Sequence, residues 1–460
     1  MIELHLAEAL LPGGWARDVR VAVEGGAIAA VEPAARPRNG SRWITGATLP
    51  GVANLHSHTF QRGFSGLAER RGTGEDHFWT WREAMYRFAN RVTPDDVEAL
   101  AALAFMEMLE SGFTAVAEFH YVHHAPDGRP YDEPAETGLR VAAAASATGI
   151  DLTLLPVFYA HAGFGGRPAL PEQRRFVCDI DLYQRIVEGA ERALPGRIGL
   201  PGRVGLPGRV GLAPHSLRAV TAEELAAVAA LRPKAPLHIH VAEQVREVEE
   251  CLAATGARPV AWLLGEAPVD ARWCLIHATH VTPEEVTGLA RSGATAGLCP
   301  ITEANLGDGL FPAADFLAAG GRLGVGSDSN VEVSLPAELR LLEYGQRLRD
   351  RARNRLAPPG GSTGRALFEA AAAGGAAALG RRTGRIAAGY AADLVVLDAD
   401  HPRLAGRTGD ALIDTWIFGG VPAVREVMVA GRVVVADGAH RARAEVERRG
   451  RAVLARLADG

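Results

Sequence analysis

Pro50-Gly51-Val52-Ala53-Asn54-Leu55-His56-Ser57-His58 ends a short apolar run on two histidines one residue apart. Side chains on a strand alternate between faces with a period of two, so His56 and His58 point the same way where the strand ends. Two imidazoles on one face suit a single metal ion, although such pairs also occur on ordinary strand surfaces. A second stretch, Gly326-Ser327-Asp328-Ser329-Asn330, closes another apolar run and offers a carboxylate at its end. What lies between decides whether the two stretches meet.

Between them the chain repeats one pattern. Eight short apolar runs end near His58, His120, Tyr159, His215, Val241, Ala278, Cys299 and Asp328, and most are followed by a segment with helical spacing, such as 94–111 and 222–231. Eight strand-then-helix units predict a (β/α)8 TIM barrel, whose strand C-termini converge on one mouth. A doubly wound sheet also repeats such units, but polar chemistry at nearly every run's end favours the barrel. Both termini alternate as short strands, in Asp18 to Val23 and again in 392–397, 424–429 and 433–435. They are expected to join into one small β-sandwich-like domain of residues 1–48 and 385–440, leaving 49–384 as the barrel and 441–460 as a terminal helix. A six-residue unit repeats almost unchanged over 195–212 and reads as an expanded surface loop, so its arginines are not counted as a binding patch.

Composition narrows the class. The 460 residues are 48% hydrophobic with a net charge of −5, which fits a packed enzyme-like protein and offers no basic stripe for nucleic acid. Four scattered cysteines, Cys178, Cys251, Cys274 and Cys299, lack metal or redox spacing and predict reduced thiols of a cytoplasmic protein. No secretory signal, no membrane span and no glycine-rich phosphate loop is expected. Oligomeric state is not written in the pattern; a homodimer is the common default.

Gathered at one mouth, the strand ends bring His56 and His58 together with His240, His277 and Asp328. Imidazoles and a carboxylate with open coordination positions suit zinc or ferrous iron, which would acidify a bound water. The chain resembles the amidohydrolase superfamily in the 50–58 motif, in His238-Ile239-His240-Val241-Ala242-Glu243, in Ile276-His277-Ala278-Thr279-His280, in Gly326-Ser327-Asp328-Ser329 and in 388–398. Two-metal members commonly bridge their ions with a modified lysine at the end of strand four. The only lysine here, Lys234, precedes strand five, so one divalent ion per subunit is expected.

The resemblance implies metal ligands His56, His58, His240 and Asp328. It also implies that Asp328 takes a proton from the attacking water, that Glu243 ferries one to the departing nitrogen, and that His277 stabilises the tetrahedral centre. His238, on the same strand face as His240, is expected to be a buried hydrogen-bonded neighbour. Uncommon strings such as Trp79-Thr80-Trp81-Arg82 and Glu118-Phe119-His120-Tyr121-Val122-His123-His124 resemble a branch that deiminates a linear formimino group on a dicarboxylate. Two carboxylates call for guanidinium donors, and Arg82 and Arg218 are the candidates, with Gln61, Tyr121 and His215 as further substrate contacts. His123 and His124 are read as structural. The alternatives are a deaminase of a heteroaromatic ring, which would need amide and aromatic contacts in place of the arginines, and a non-catalytic barrel used as a binding module.

Overall fold

Helix starts in this chain are spelled out by short polar side chains. Thr93, Thr221 and Thr282 each accept a hydrogen bond from the backbone N–H three residues on, and Asp96, Glu224 and Glu285 return the bond to the cap. This satisfies donors that a helix leaves orphaned at its first turn, so Pro94–Ser111, Ala222–Leu231 and Pro283–Ser292 begin where the sequence says. The first ends on Gly112 in a left-handed conformation (φ 105°), a turn that delivers the chain into the next strand.

The computed structural model describes residues 1–71, 74–197 and 208–458. Val52–Ser57, Phe113–His120 and Asp151–Phe158 pair in parallel, and Arg209–Val210 and Ala213–Pro214 both continue alongside the third strand. Leu237–Val241, Trp273–His277, Thr295–Leu298 and Arg322–Val325 form the other parallel set. Bridges from Leu212 to Leu237 and from Ser216 to His240 join the two sets, and a bridge from Ser57 to Asp328 closes the ring. The result is a TIM barrel with its strand C-termini at one mouth. Barrel strand four is two short pieces and not one run. Of the six-residue repeat before it, 198–207 lies outside the described residues.

Both termini build one eight-stranded mixed sheet, ordered Ala439–His440, Arg432–Ala436, Val424–Val429, Leu394–Leu397, Arg42–Pro50, Ile2–Leu11, Gly14–Glu24, Ala27–Glu32. Leu394–Leu397 runs antiparallel to Arg42–Pro50, so sequence ends far apart meet at the sheet's centre. Leu4, Leu6, Val19, Val21, Ile28, Leu394 and Val396 enclose a core separate from that of the barrel. Burial of each such side chain is worth roughly 1.5–3 kcal/mol, enough together to hold the ends. On these contacts we propose that 1–48 and 385–440 form the small domain and 49–384 the barrel, with Arg42–Pro50 crossing the first boundary. The last helix is Arg443–Ala458. All four cysteines are buried free thiols, and no helix among the described residues is long and apolar enough to cross a membrane.

His120 closes barrel strand two, fully buried, with Nε2 2.9 Å from Thr137 Oγ1. Burial pulls it from an ordinary 6.5 down to about 3. The unfolded chain therefore takes up a proton below pH 6.5 that the folded protein refuses until about pH 3, and stability is lost as pH falls through that window. Replacing His120 by Asn is expected to flatten the acid limb of the stability curve by up to about 1.4 kcal/mol per pH unit, measured by denaturant unfolding at several pH values.

Candidate metal centre and active site

The first barrel strand meets the last through a buried polar network. His58 N–H donates to Asp328 O at 2.8 Å and Asp328 N–H to His56 O at 2.9 Å. Asn54 Nδ2 donates to Ser327 Oγ at 2.7 Å, and Asn54 Oδ1 accepts from Ser327 N at 3.1 Å. Ser327 Oγ donates to Asn330 Oδ1, and Asn330 Nδ2 donates to Ser57 Oγ. Gly326 permits the approach, because a Cβ there would lie 2.6 Å from His56 O. The two stretches that opened the sequence reading are thus hydrogen-bonded to one another along their length.

This join carries the donors. His56 Nε2 lies 2.9 Å from His240 Nε2 and 3.5 Å from Asp328 Oδ1, and His58 Nε2 lies 3.2 Å from the same oxygen. One donor atom from each of the four falls within 4.8 Å of the others, a spread that fits ligands each about 2.1 Å from a central ion. His58 Nδ1–H donates to Phe119 O at 2.8 Å and His240 Nδ1–H to His215 O at 3.0 Å. A carbonyl only accepts, so both rings keep their Nε2 lone pairs for the interior, the tautomer a metal ligand needs. The residues present fit one divalent ion. Ala242, His277 and Asp328, at the ends of strands five, six and eight, all have positive φ (51°, 67° and 46°). Non-glycine residues adopt that conformation at a cost, which is found where a site demands a particular aim.

Beside the donor set lies a second group. His277 Nε2 is 3.7 Å from Glu243 Oε1 and 3.8 Å from Asp328 Oδ2, while its Nδ1 is 3.2 Å from Glu303 Oε1. Burial works against its charge, but the carboxylates of Glu243, Glu303 and Asp328 outweigh it and raise the imidazole to about 10. Burial pushes Glu243 up to about 7, with Asp328 and Glu247 adding to the rise, so it can hold or release a proton near neutrality.

A pocket opens over both groups. His58, Gln61, Arg82, Tyr121, His215, Arg218, His240, Glu243, His277 and Asp328 line it, with an aromatic wall of Phe78, Trp81, Tyr86, Tyr159 and Phe176. Gln61 Nε2 donates to Tyr121 OH at 2.7 Å, and its Oε1 is buried without a hydrogen-bond partner among the described residues. Arg82 rides on helix Phe78–Ala89, in the connection after the first barrel strand. Arg218 is 5% exposed, with Nε 3.8 Å from Glu247 Oε2. Every candidate from the sequence reaches this pocket except His56, which lies behind it as part of the donor set. His238 turns away and meets Ala378 O at 2.8 Å, and His123 and His124 meet the carbonyls of Val157 and Val177.

Sequence reasoning passed over several neighbours. Trp79 carries three guanidinium groups around its indole, Arg82 at 4.4 Å, Arg246 at 4.6 Å and Arg218 at 5.6 Å. Glu303, on helix Pro300–Leu306, and Asp308, just after it, were given no part by the sequence. Glu247 accepts the N–H groups of Ala242 and Glu243 and so fixes the turn after strand five.

The family model for amidohydrolases matches residues 47–434, and that for the N-terminal domain of formimidoylglutamate deiminase HutF matches 1–43. Formimidoylglutamate deiminase of Pseudomonas aeruginosa is 53% identical over 444 residues, 96% of either chain. The 8-oxoguanine deaminase of the same species is 29% identical and covers 89% of this chain and 86% of its own. The crystal structure of an amidohydrolase from Brucella melitensis superposes with a TM-score of 0.94 at 51% identity, covering 100% of both chains.

The polar join sets a test that needs no substrate. Asn54→Ala leaves Ser327 N–H without its acceptor and Ser327 Oγ without one of its two partners, so the variant is expected to lose about 1–3 kcal/mol of stability and about 10–100-fold in metal affinity. Thermal unfolding and metal content after dialysis against a chelator measure the two losses.

Proposed function

The chain belongs to the amidohydrolase family, and on that footing we propose that His56, His58, His240 and Asp328 hold one divalent ion, zinc first and iron second. The chain is a metal-dependent hydrolase of an amidine C–N bond. It converts N-formimino-L-glutamate and water into N-formyl-L-glutamate and ammonia, a step of histidine degradation. The ion's contribution is a water acidified towards neutrality. The imino nitrogen gains two protons in becoming ammonia, and the water supplies both. Glu243 Oε1 starts ionised, receives one and delivers it to the imino nitrogen, Asp328 Oδ2 takes the other and gives it up to the same nitrogen as the C–N bond breaks and ammonia leaves, and His277 Nε2 steadies the oxygen of the tetrahedral carbon.

The observation that carries the dicarboxylate reading is the pair of guanidinium groups, Arg82 and Arg218, in one pocket with the donor set and both against the Trp79 ring. Arginine binds carboxylates through paired N–H donors, and the indole keeps the two cations together where repulsion would part them. Gln61 and Tyr121 add neutral hydrogen bonds, and His215 lies at the pocket wall beside them. A heteroaromatic ring would leave both arginines without partners, which disfavours that alternative. The buried thiols support a cytoplasmic setting, and a two-fold dimer is the assembly we propose.

Ammonia release from N-formimino-L-glutamate, N-formimino-L-aspartate and guanine tests the assignment. Strong preference for the first is expected, and equal rates on all three would overturn it. Arg82→Met and Arg218→Met are each expected to lower kcat/KM by about 100-fold or more, an interaction worth about 2.7 kcal/mol or above. Full activity in both variants would remove the dicarboxylate from the reading. Trp79→Leu is expected to raise KM about tenfold with kcat largely kept, since it frees the arginines without touching the reacting centre.

A further inference from the structure

Asp308 stands directly behind Glu243. It is 5% exposed, and it does not line the pocket, so it meets no substrate. One oxygen of Asp308, one of Glu243 and one nitrogen of His277 lie within 4.8 Å of one another. Gln244 Nε2 donates to Asp308 Oδ1, whereas Oδ2 is buried with no hydrogen-bond partner among the described residues. The loop that holds it there is closely specified. Gly307 ends helix Pro300–Leu306 at φ 71°, Asp308 N–H returns to Glu303 O at 2.9 Å, and Gly309 at φ 133° passes so near the end of strand six that a Cβ would lie 3.1 Å from Thr279 Cγ2.

A buried carboxylate oxygen without a donor, beside a second carboxylate, is an unfavourable arrangement when both are ionised. It becomes a satisfied one if Asp308 carries the proton: Oδ1 accepts from Gln244 and Oδ2–H donates to Glu243, within reach of a side-chain rotation. The groups that face the pair are Gln244, Glu247, Arg218 and Asp328 around Glu243, His277 and His280 after strand six, and Glu303 on Asp308's own segment. His277 is shared by Glu303, Glu243 and Asp328, and Arg218 by Glu247 and Glu243, so neither cation is left to offset a further charge on Asp308. Burial, with Glu243 next, pushes Asp308 up to about 9, in the direction the geometry requires.

We propose that Asp308 is a positioning residue for the deimination: it stays a neutral carboxylic acid behind Glu243 and, by a donated hydrogen bond, holds that carboxylate ionised and aimed into the pocket until it takes up its proton. This rests on the deiminase reading above. Without the donor, Glu243 is free to rotate and is harder to ionise, so the proton delivered to the leaving nitrogen arrives less often.

Two variants and two readouts test it on the metal-loaded full chain. In Asp308→Leu, kcat is expected to fall about tenfold with KM within about twofold, and the acidic limb of the kcat/KM profile to move up by about one pH unit. Asp308→Asn retains an N–H donor for Glu243, so it is expected to restore the limb to the wild-type position and most of the lost rate. The infrared difference spectrum, wild type minus Asp308→Asn at neutral pH, should show a carboxylic-acid C=O stretch distinct from the carboxylate bands. That band needs no turnover and no Leu variant, so it decides the protonation of Asp308 even if the wild type releases no ammonia from N-formimino-L-glutamate, a result that would overturn the substrate reading alone. Absence of the band, a downward shift of the limb in Asp308→Asn, or an unmoved limb in a fully metal-loaded Asp308→Leu overturns the proposal.

Discussion

The join between the first and last barrel strands governs the rest of the molecule. A closed barrel needs its end strands to meet, and here they meet where His56, His58 and Asp328 must also converge. Closure and ligand geometry are therefore one constraint. Backbone bonds from His58 and Asp328 set the register, Asn54, Ser327, Asn330 and Ser57 fill the polar space between, and Gly326 leaves room for the approach. Each of those side chains is buried, so a lost partner would strand a polar group without water.

Around that join the electrostatics divide the mouth in two. On one side Glu243, Glu303, Asp308 and Asp328 crowd around His277; burial pushes Glu243 up to about 7, while the carboxylates of Glu243, Glu303 and Asp328 raise the imidazole against its own burial. On the other side Arg82 and Arg218 share an indole with Arg246. Arg218 links the two groups, with Nε 3.8 Å from Glu247 Oε2, the oxygen that also accepts the N–H of Glu243.

Strand arithmetic brings the candidates to one rim: period two aligns His56 with His58, and the eight-fold repeat adds His240, His277 and Asp328. The same period puts His238 on the face of His240, and the choice between them came from the family resemblance. The helices over 94–111 and 222–231 were legible from apolar spacing alone, and the Thr93 and Thr221 caps fix where they start. Trp79 was hidden because its partners are 3, 139 and 167 residues away along the chain, and only packing joins Arg218 and Arg246 to one ring. Glu303 and Asp308 were hidden by their surroundings: a carboxylate's part depends on what else is buried with it, and that is set by how strands five, six and seven align. Strand four read as one run, whereas it pairs with strand three in two short pieces, Arg209–Val210 and Ala213–Pro214, before His215 and Arg218 reach the pocket.

Arg82 belongs to a helix inserted after the first strand, whereas the metal donors belong to the strands themselves. Reaction and recognition are consequently carried by parts of the chain that can change separately. An exchange of residues 59–90 would replace Gln61, Arg82 and the Trp79 ring and keep the barrel's hydrogen-bonded closure, with Tyr121, His215 and Arg218 left in the pocket wall. Relatives that share the strand ends can diverge in the compounds they accept through that one connection, with the bond-breaking apparatus inherited whole.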